Sequence, residues 1–259
     1  MKDNEDNLLI IKRGAYSKIL LGTYWDKIVT IKQVEIDKID FEKFIEELNE
    51  IIENPDPLFN NTIGYSVTKT QIHIVLNFND CCNLFNLIHQ KRLNIQIENL
   101  ISYVNDIIQS IHFCHKNRIL ITYKDLNLSN FYISKDGKNL FSDIFWYSTT
   151  FYTNKSKDKK YCGSISHMAP ELFLGENYNF SADIYSFGII LYEIFSLKFP
   201  YEGMNERDII NDVVKGNRPN LFNLRKETPL EYIELMMKCL EKDPTKRPST
   251  KDILYFLKK

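Results

Sequence analysis

Short apolar runs typical of β-strands occupy the N-terminal third of the chain. Three runs rich in β-branched side chains, separated by turn residues such as Gly14 and Gly22, predict an antiparallel meander of strands. Two further runs of the same kind predict two more strands. The five runs are residues 8–11, 18–21, 27–32, 62–68 and 71–78.

The hydrophobic spacing also predicts helices. Over residues 40–53 the apolar side chains recur every three or four positions, which is typical of an amphipathic helix. At about 100° per residue, Glu47 flanks the apolar stripe of this helix, whereas Glu46 points to solvent. After residue 80 the helical spacing dominates, most clearly over residues 100–117. We therefore predict a β-rich part followed by a helix-rich part.

Composition narrows the class of protein. The 259 residues are 44% hydrophobic and 26% charged, enough to form one large domain or two small lobes. With 33 basic and 34 acidic residues, the net charge of −1 predicts no nucleic-acid surface. Five cysteines without C-x-x-C spacing argue against a disulfide framework or a zinc site. Because neither a signal peptide nor a membrane span is indicated, we expect a cytosolic protein. We also expect no appended domain, since the first predicted strand starts by about Leu8 and the last predicted helix ends at the C-terminus.

The candidate chemistry lies near the middle of the chain. Asp125 and Asn130 have the spacing of the pattern H-R-D-x-x-x-x-N. Further along the chain, Asp143 comes shortly after the apolar pair at residues 140–141. This arrangement resembles the catalytic loop and the metal-binding D-F-G of protein kinases. The resemblance implies that Asp125 accepts the proton of a substrate hydroxyl, and that Asn130 and Asp143 hold Mg²⁺ if the metal is used.

Three residues in this stretch depart from the kinase pattern. Tyr123 replaces the His, Asn127 replaces the Lys of the loop, and Phe145 replaces the Gly of D-F-G. Asn127 brings no positive charge to the γ-phosphate, and one lost electrostatic contact of this kind costs a factor of about 10²–10³ in rate. Phe145 restricts a turn that Gly normally permits. We expect phosphotransfer to be degraded or absent.

The N-terminal strands carry two further kinase-like features. A glycine-rich phosphate loop would have three glycines here, but only Gly14 is present, and an ordinary hairpin explains the segment equally well. Residues 29–32 match V-A-I-K, so Lys32 would hold the α- and β-phosphates of a nucleotide. Glu47 would then pair with Lys32. Taken alone, Lys32 would be better interpreted as a lysine on an exposed strand, and Glu47 as a glutamate on a solvated helix face.

Three segments of the C-terminal half match kinase motifs in the expected order. They resemble the G-T-x-x-Y-M-A-P-E that ends an activation segment, the D-x-W/Y-S-F-G helix and the closing R-P segment. Glu171 and Arg247 are predicted to form a buried ion pair, and Asp183 is predicted to tie the catalytic-loop backbone. The segments are residues 163–171, 181–193 and 239–249.

Together these motifs resemble the protein-kinase superfamily over essentially the whole chain, and most closely its tyrosine-kinase-like branch. Residues 185–188, residues 199–203 and the altered active site are similar to the pseudokinase domain of mixed lineage kinase domain-like proteins, including virus-encoded homologues. The resemblance implies an α+β class: a bilobal protein-kinase fold, with an antiparallel-sheet N-lobe carrying one αC helix and a mainly helical C-lobe.

The same resemblance divides the chain. Residues 1–259 are expected to form one kinase-like domain. Leu76 would be the gatekeeper at the back of the nucleotide pocket, and Phe78 would belong to the hinge. The implied parts are an N-lobe at about residues 1–76, a hinge at about 77–80 and a C-lobe at about 81–259.

The resemblance also implies a function. A pseudokinase of this kind would bind a host receptor-interacting kinase and sequester it, which would block necroptotic cell death. Its ATP binding would be weak, and its use of Mg²⁺ optional. The alternative is a weakly active ATP-dependent protein kinase, of the Ser/Thr or Tyr-like type, because Lys32, Asp125, Asn130 and Asp143 are all retained.

Residues 196–204 are the candidate partner surface. Pro200 and Gly203 indicate an exposed turn, which still carries Phe199 and Tyr201. Tyr201 is expected to anchor the partner, because a rigid aromatic ring with a polar tip is a typical hot spot. The alternative, weighted equally, is that Phe199 and Tyr201 pack on a neighbouring helix of the protein itself.

Overall fold

The described part of the chain falls into two compact units, one before Cys81 and one from Cys81 onward. The first is built on an antiparallel sheet and the second is mainly helical, which confirms the predicted α+β class. The computed structural model describes residues 9–13, 17–53, 62–77, 81–89, 95–118, 121, 126–134, 136–142, 164–177 and 179–258.

In its described residues, the first unit contains a five-stranded sheet and one α-helix. Its strand order is β1-β2-β3-β5-β4, and every neighbouring pair is antiparallel. The strands are therefore those predicted from the short apolar runs. The elements are β1 (Leu9–Arg13), β2 (Ser17–Tyr24), β3 (Lys27–Glu35), α1 (Phe41–Glu53), β4 (Thr62–Val67) and β5 (Gln71–Asn77).

The hairpin between β2 and β3 is tighter than the sequence suggested. Its turn is Trp25 and Asp26, with φ values of 48° and 59°. Two successive left-handed residues match the twist of the flanking strands, which is the usual geometry of a two-residue hairpin. The second strand consequently extends to Tyr24, three residues beyond the predicted run, and Tyr24 faces Lys27.

Helix α1 coincides with the predicted amphipathic helix. Phe44 and Leu48, one turn apart on its apolar stripe, are buried. The helix contacts β4, where the Tyr65 hydroxyl donates a hydrogen bond to Asn49 Oδ1 at 3.0 Å. Burial of the apolar stripe stabilises α1 more than helix propensity does.

The second unit contains a small three-stranded sheet, β6-β7-β8, and most of the helices. Among the described residues, no helix is both long and apolar enough to cross a membrane. The elements are β6 (Cys81–Asn83), α2 (Leu84–His89), α3 (Ile97–Lys116), β7 (Phe131–Ser134), β8 (Leu140–Ser142), α4 (Pro170–Leu174), α5 (Phe180–Ser196), α6 (Glu206–Lys215), α7 (Leu230–Cys239) and α8 (Thr250–Phe256).

Helix α5 forms the centre of the second unit. All of its residues from Ala182 to Ser196 are buried, as expected for a helix that is apolar on every side. A Cβ atom at Gly188 would lie 2.9 Å from the Cβ of Cys239. Glycine at this position therefore allows α5 and the end of α7 to approach closely.

Candidate active site

Lys32 lies in the middle of β3, and it is 2% exposed. Its neighbours across the sheet are Ile19 on β2 and Ile74 on β5. Lysine is almost never fully buried unless its charge is compensated. The interpretation of Lys32 as a solvated strand lysine is therefore wrong. Leu76, the predicted gatekeeper, is also buried on β5.

Asn127 and Asn130 bracket a 3-10 turn that leads into β7. Asn127 Oδ1 accepts a hydrogen bond from the Ser129 amide at 2.7 Å, and the Asn127 amide donates to Asn130 Oδ1 at 3.1 Å. Both asparagines are buried. The side chain at the position of the kinase loop lysine is therefore a turn cap, which sequence reasoning did not predict.

Several predicted site residues lie outside the residues that the structure describes. Their roles stay predictions from the sequence. They are Gly14, Phe78, Asp125 and Asp143, together with the side chain of Glu47, whose backbone belongs to α1.

The structure contains the predicted pair of Glu171 and Arg247. Two parallel hydrogen bonds join the guanidinium to the carboxylate, at 2.7 and 2.9 Å, and both side chains are buried. Arg247 also donates to the carbonyl oxygens of Ser181, Glu241 and Lys242. One side chain thus connects the start of α4, the start of α5 and the segment after α7.

Asp183 is fully buried near the start of α5. Its Oδ2 accepts hydrogen bonds from the Ile121 amide at 3.1 Å and from His115 Nε2 at 2.9 Å. Ile121 precedes the predicted catalytic loop, so Asp183 holds the backbone that enters the loop. The partnership with His115, at the end of α3, was not predicted.

A second buried carboxylate on α5 also escaped sequence reasoning. Glu193 accepts a hydrogen bond from His89 Nε2 at 3.0 Å and one from His167 Nε2 at 2.8 Å. Burial alone would raise the pKa of Glu193, but the two histidines outweigh this effect and hold the pKa below its ordinary value of 4.5. A glutamate within an apolar helix is a signal that a partner exists, because a buried charge must be compensated.

The expectation that Tyr201 presents an exposed ring is wrong. Tyr201 is 9% exposed, and its hydroxyl lies beside Tyr185 of α5. Burial, followed by the neighbouring Tyr185, raises the pKa of Tyr201. Its φ of 56° is left-handed, a conformation that a bulky residue keeps only where its surroundings impose it. Tyr201 therefore packs within its own fold, as the alternative interpretation held.

Phe199 differs from Tyr201. It is 44% exposed, and its ring stacks on His89 at 4.1 Å with an angle of 8° between the planes. Phe85 of α2 lies 5.8 Å from the Phe199 ring. One face of Phe199 is thus packed on α2, and a substantial part of the ring is accessible.

Comparison with known proteins agrees with this architecture. The family model for the protein kinase domain matches residues 7–256. The chain belongs to the protein kinase family. Three relatives carry names of serine/threonine-protein kinases: a LIM domain-containing one from Dictyostelium discoideum, 30% identical, Nek9 from Xenopus laevis, 28% identical, and a kinase/receptor from Acanthamoeba polyphaga mimivirus, 26% identical.

These alignments cover 96%, 95% and 97% of the present chain, respectively. The chain spans only 38%, 26% and 15% of the length of those three relatives. The similarity therefore concerns the kinase domain of each longer protein.

Membership of the protein kinase family implies ATP and Mg²⁺ in general. Two described residues fit these ligands. The buried ammonium group of Lys32 suits anionic phosphates. Asn130 Oδ1 has a second lone pair beyond the one that accepts from Asn127, and Mg²⁺ prefers oxygen ligands. Asn127 does not fit the role of the loop lysine, since its side chain is uncharged and caps the turn.

Proposed function

We propose that this kinase-family chain is a pseudokinase, which binds ATP weakly, transfers phosphate slowly or not at all, and acts by binding a protein partner. The observation that carries the proposal is the lack of charge and the burial of the Asn127 side chain. The side chain is uncharged, 5% exposed and bonded to the Ser129 amide. It therefore supplies no charge to the γ-phosphate, and such a loss costs a factor of about 10²–10³ in rate.

Unlike the loop lysine, residues that would hold a nucleotide are retained. Lys32 is retained and buried, and Asn130 keeps an oxygen that can bind a cation. When bound, Mg²⁺ would neutralise phosphate charge. Lys32 would orient the α- and β-phosphates, and Asn130 would contribute one metal ligand. Binding without efficient transfer is the combination that these residues support.

For the partner, we propose a host receptor-interacting kinase in the cytosol, whose sequestration would block necroptotic cell death. The support is the similarity of residues 185–188 and 199–203 to mixed lineage kinase domain-like pseudokinases. Phe199, with 44% of its surface exposed, offers apolar area to a partner. This surface no longer includes Tyr201.

A weakly active serine/threonine kinase is the second candidate. The names of the relatives favour it, as does the retention of Lys32, Asp125, Asn130 and Asp143 in the sequence. In this case Asp125 would accept the proton of the substrate hydroxyl.

Phosphotransfer to a generic protein substrate separates the two candidates. We expect radiolabel transfer by the purified chain to be at least about a hundredfold below the roughly 1–100 s⁻¹ of typical kinases. Asp125→Asn should reduce any residual signal to background, because slow transfer at this site would still use Asp125. Turnover within the typical range that Asp125→Asn abolishes would establish the active kinase instead.

A further inference from the structure

Reciprocal hydrogen bonds join the two ends of the turn at residues 127–130. The Asn127 side chain accepts from the Ser129 amide, and the Asn130 side chain accepts from the Asn127 amide. In addition, the Asn130 amide donates to the Asn127 carbonyl oxygen at 3.2 Å. This is the reciprocal pattern of a capping box, in which each end of a turn orders the other. The placement of Asn130 thus depends on Asn127.

Neighbouring elements hold the turn in place. Leu128 is fully buried, and the Ser129 carbonyl oxygen accepts a hydrogen bond from Asn83 Nδ2, at the end of β6, at 2.8 Å. Strand β7 begins at Phe131, directly after the turn. The turn is consequently a fixed platform, and its shape is sensitive to the residue at position 127.

We propose that Asn127 is a positioning residue for the metal-bound nucleotide. By capping the turn, it sets the direction of Asn130 Oδ1. One lone pair of that oxygen accepts from the Asn127 amide, and the other stays available to a hard cation. The inference rests on the nucleotide binding proposed above.

Restoring the kinase lysine should therefore weaken the site. Asn127→Lys removes the acceptor of the Ser129 amide and brings an ammonium group to a position that is 5% exposed. Asn127→Ala removes the acceptor without adding a charge. Asn127→Ser keeps a neutral acceptor, and serine caps turns and helices about as well as asparagine.

ATP affinity with Mg²⁺ and with EDTA, measured by calorimetry, tests this inference. We expect Asn127→Ala and Asn127→Lys to weaken binding about tenfold in Mg²⁺ and less than about twofold in EDTA. Asn127→Ser should stay within about threefold of the wild type in both buffers. Hydrogen exchange of the Ser129 amide should accelerate in the alanine and lysine variants only.

Asn220→Ala is a matched control. Asn220 Oδ1 caps another 3-10 turn by accepting from the Phe222 amide at 3.0 Å. The loss of this cap should change the ATP affinity neither with Mg²⁺ nor with EDTA. Melting temperatures of all variants show whether each one is folded.

The outcomes are distinct. If the wild type binds ATP equally with Mg²⁺ and with EDTA, or if all Asn127 variants bind like the wild type, the positioning role is wrong and nucleotide binding stands. Equal losses in the alanine and serine variants also contradict a role through capping. If the wild type binds no ATP in either buffer, both the inference and the proposed nucleotide binding fail.

Discussion

The Glu171–Arg247 pair and the turn at Asn127 are both buried and hydrogen bonded, yet they relate to the kinase pattern in opposite ways. At the pair, both residues match the family motif, and two bonds of 2.7 and 2.9 Å join them. At the turn, the lysine of the motif is replaced, and the new side chain bonds to the Ser129 amide.

The difference follows from how easily each bond is replaced. A guanidinium binds a carboxylate with two parallel donors, and no other side chain offers this geometry. A turn needs only one acceptor, which Asn, Asp or Ser can supply. The elements that hold the fold therefore keep their residues, whereas a residue with a chemical role has been exchanged for one with a structural role.

Breaking the Glu171–Arg247 pair should have the largest effect. We expect Arg247→Met to lower the free energy of unfolding by about 3–5 kcal/mol, because the buried Glu171 carboxylate loses its partner. Urea denaturation measures this change. Glu227→Gln is the control, since Glu227 is 61% exposed and lies 3.5 Å from Arg225. Its effect should be within about 0.5 kcal/mol. A loss below about 1 kcal/mol in Arg247→Met would contradict the anchoring role.

Tyr201 and Phe199 lie in one turn, but they should differ in how much each stabilises the fold. Tyr201→Ala should lower the free energy of unfolding by about 3 kcal/mol, because a buried ring leaves a cavity beside Tyr185. Phe199→Ala should cost less than about 1 kcal/mol, since the ring is 44% exposed. Thermal denaturation of both variants gives the ranking.

A pull-down of the receptor-interacting kinase with the same variants tests the partner surface. Phe199→Ala should lose capture while its melting temperature stays near that of the wild type. Undiminished capture by this variant would remove Phe199 from the surface. Equal melting temperatures for Tyr201→Ala and the wild type would contradict the burial of Tyr201.

Glu193→Gln should have a smaller effect than Arg247→Met or Tyr201→Ala, about 2 kcal/mol at pH 7, because hydrogen bonds to His89 and His167 lose their charged acceptor. The pKa of Glu193 is lowered in the folded protein, so its contribution is complete above the ordinary value of 4.5. The contribution is lost as the pH falls through the lower, folded pKa.

Urea denaturation of the wild type and Glu193→Gln across this pH range measures the difference. The gap in stability between them should shrink below about pH 4.5. If the stability difference between the wild type and Glu193→Gln grew as the pH fell, the assignment of a lowered pKa to Glu193 would be wrong.

Local patterns predicted the secondary structure well, because strand and helix periods are properties of neighbouring residues. The helix at residues 40–53 and the pairing of Glu171 with Arg247 were both accessible in this way, the first by periodicity and the second by motif. The hairpin at Trp25 and Asp26 was not, since Trp25, unlike Asp26, is not a usual left-handed turn former.

The sequence by itself determined the order of the motifs, the α+β class and the residues available for chemistry. Only the tertiary structure decided that Asn127 caps a turn, that Tyr201 is buried, and that Glu193 bonds to His89, 104 residues away along the chain. Burial and the choice of a hydrogen-bond partner depend on which distant segments pack together, and the spacing of residues along the chain carries little of this information.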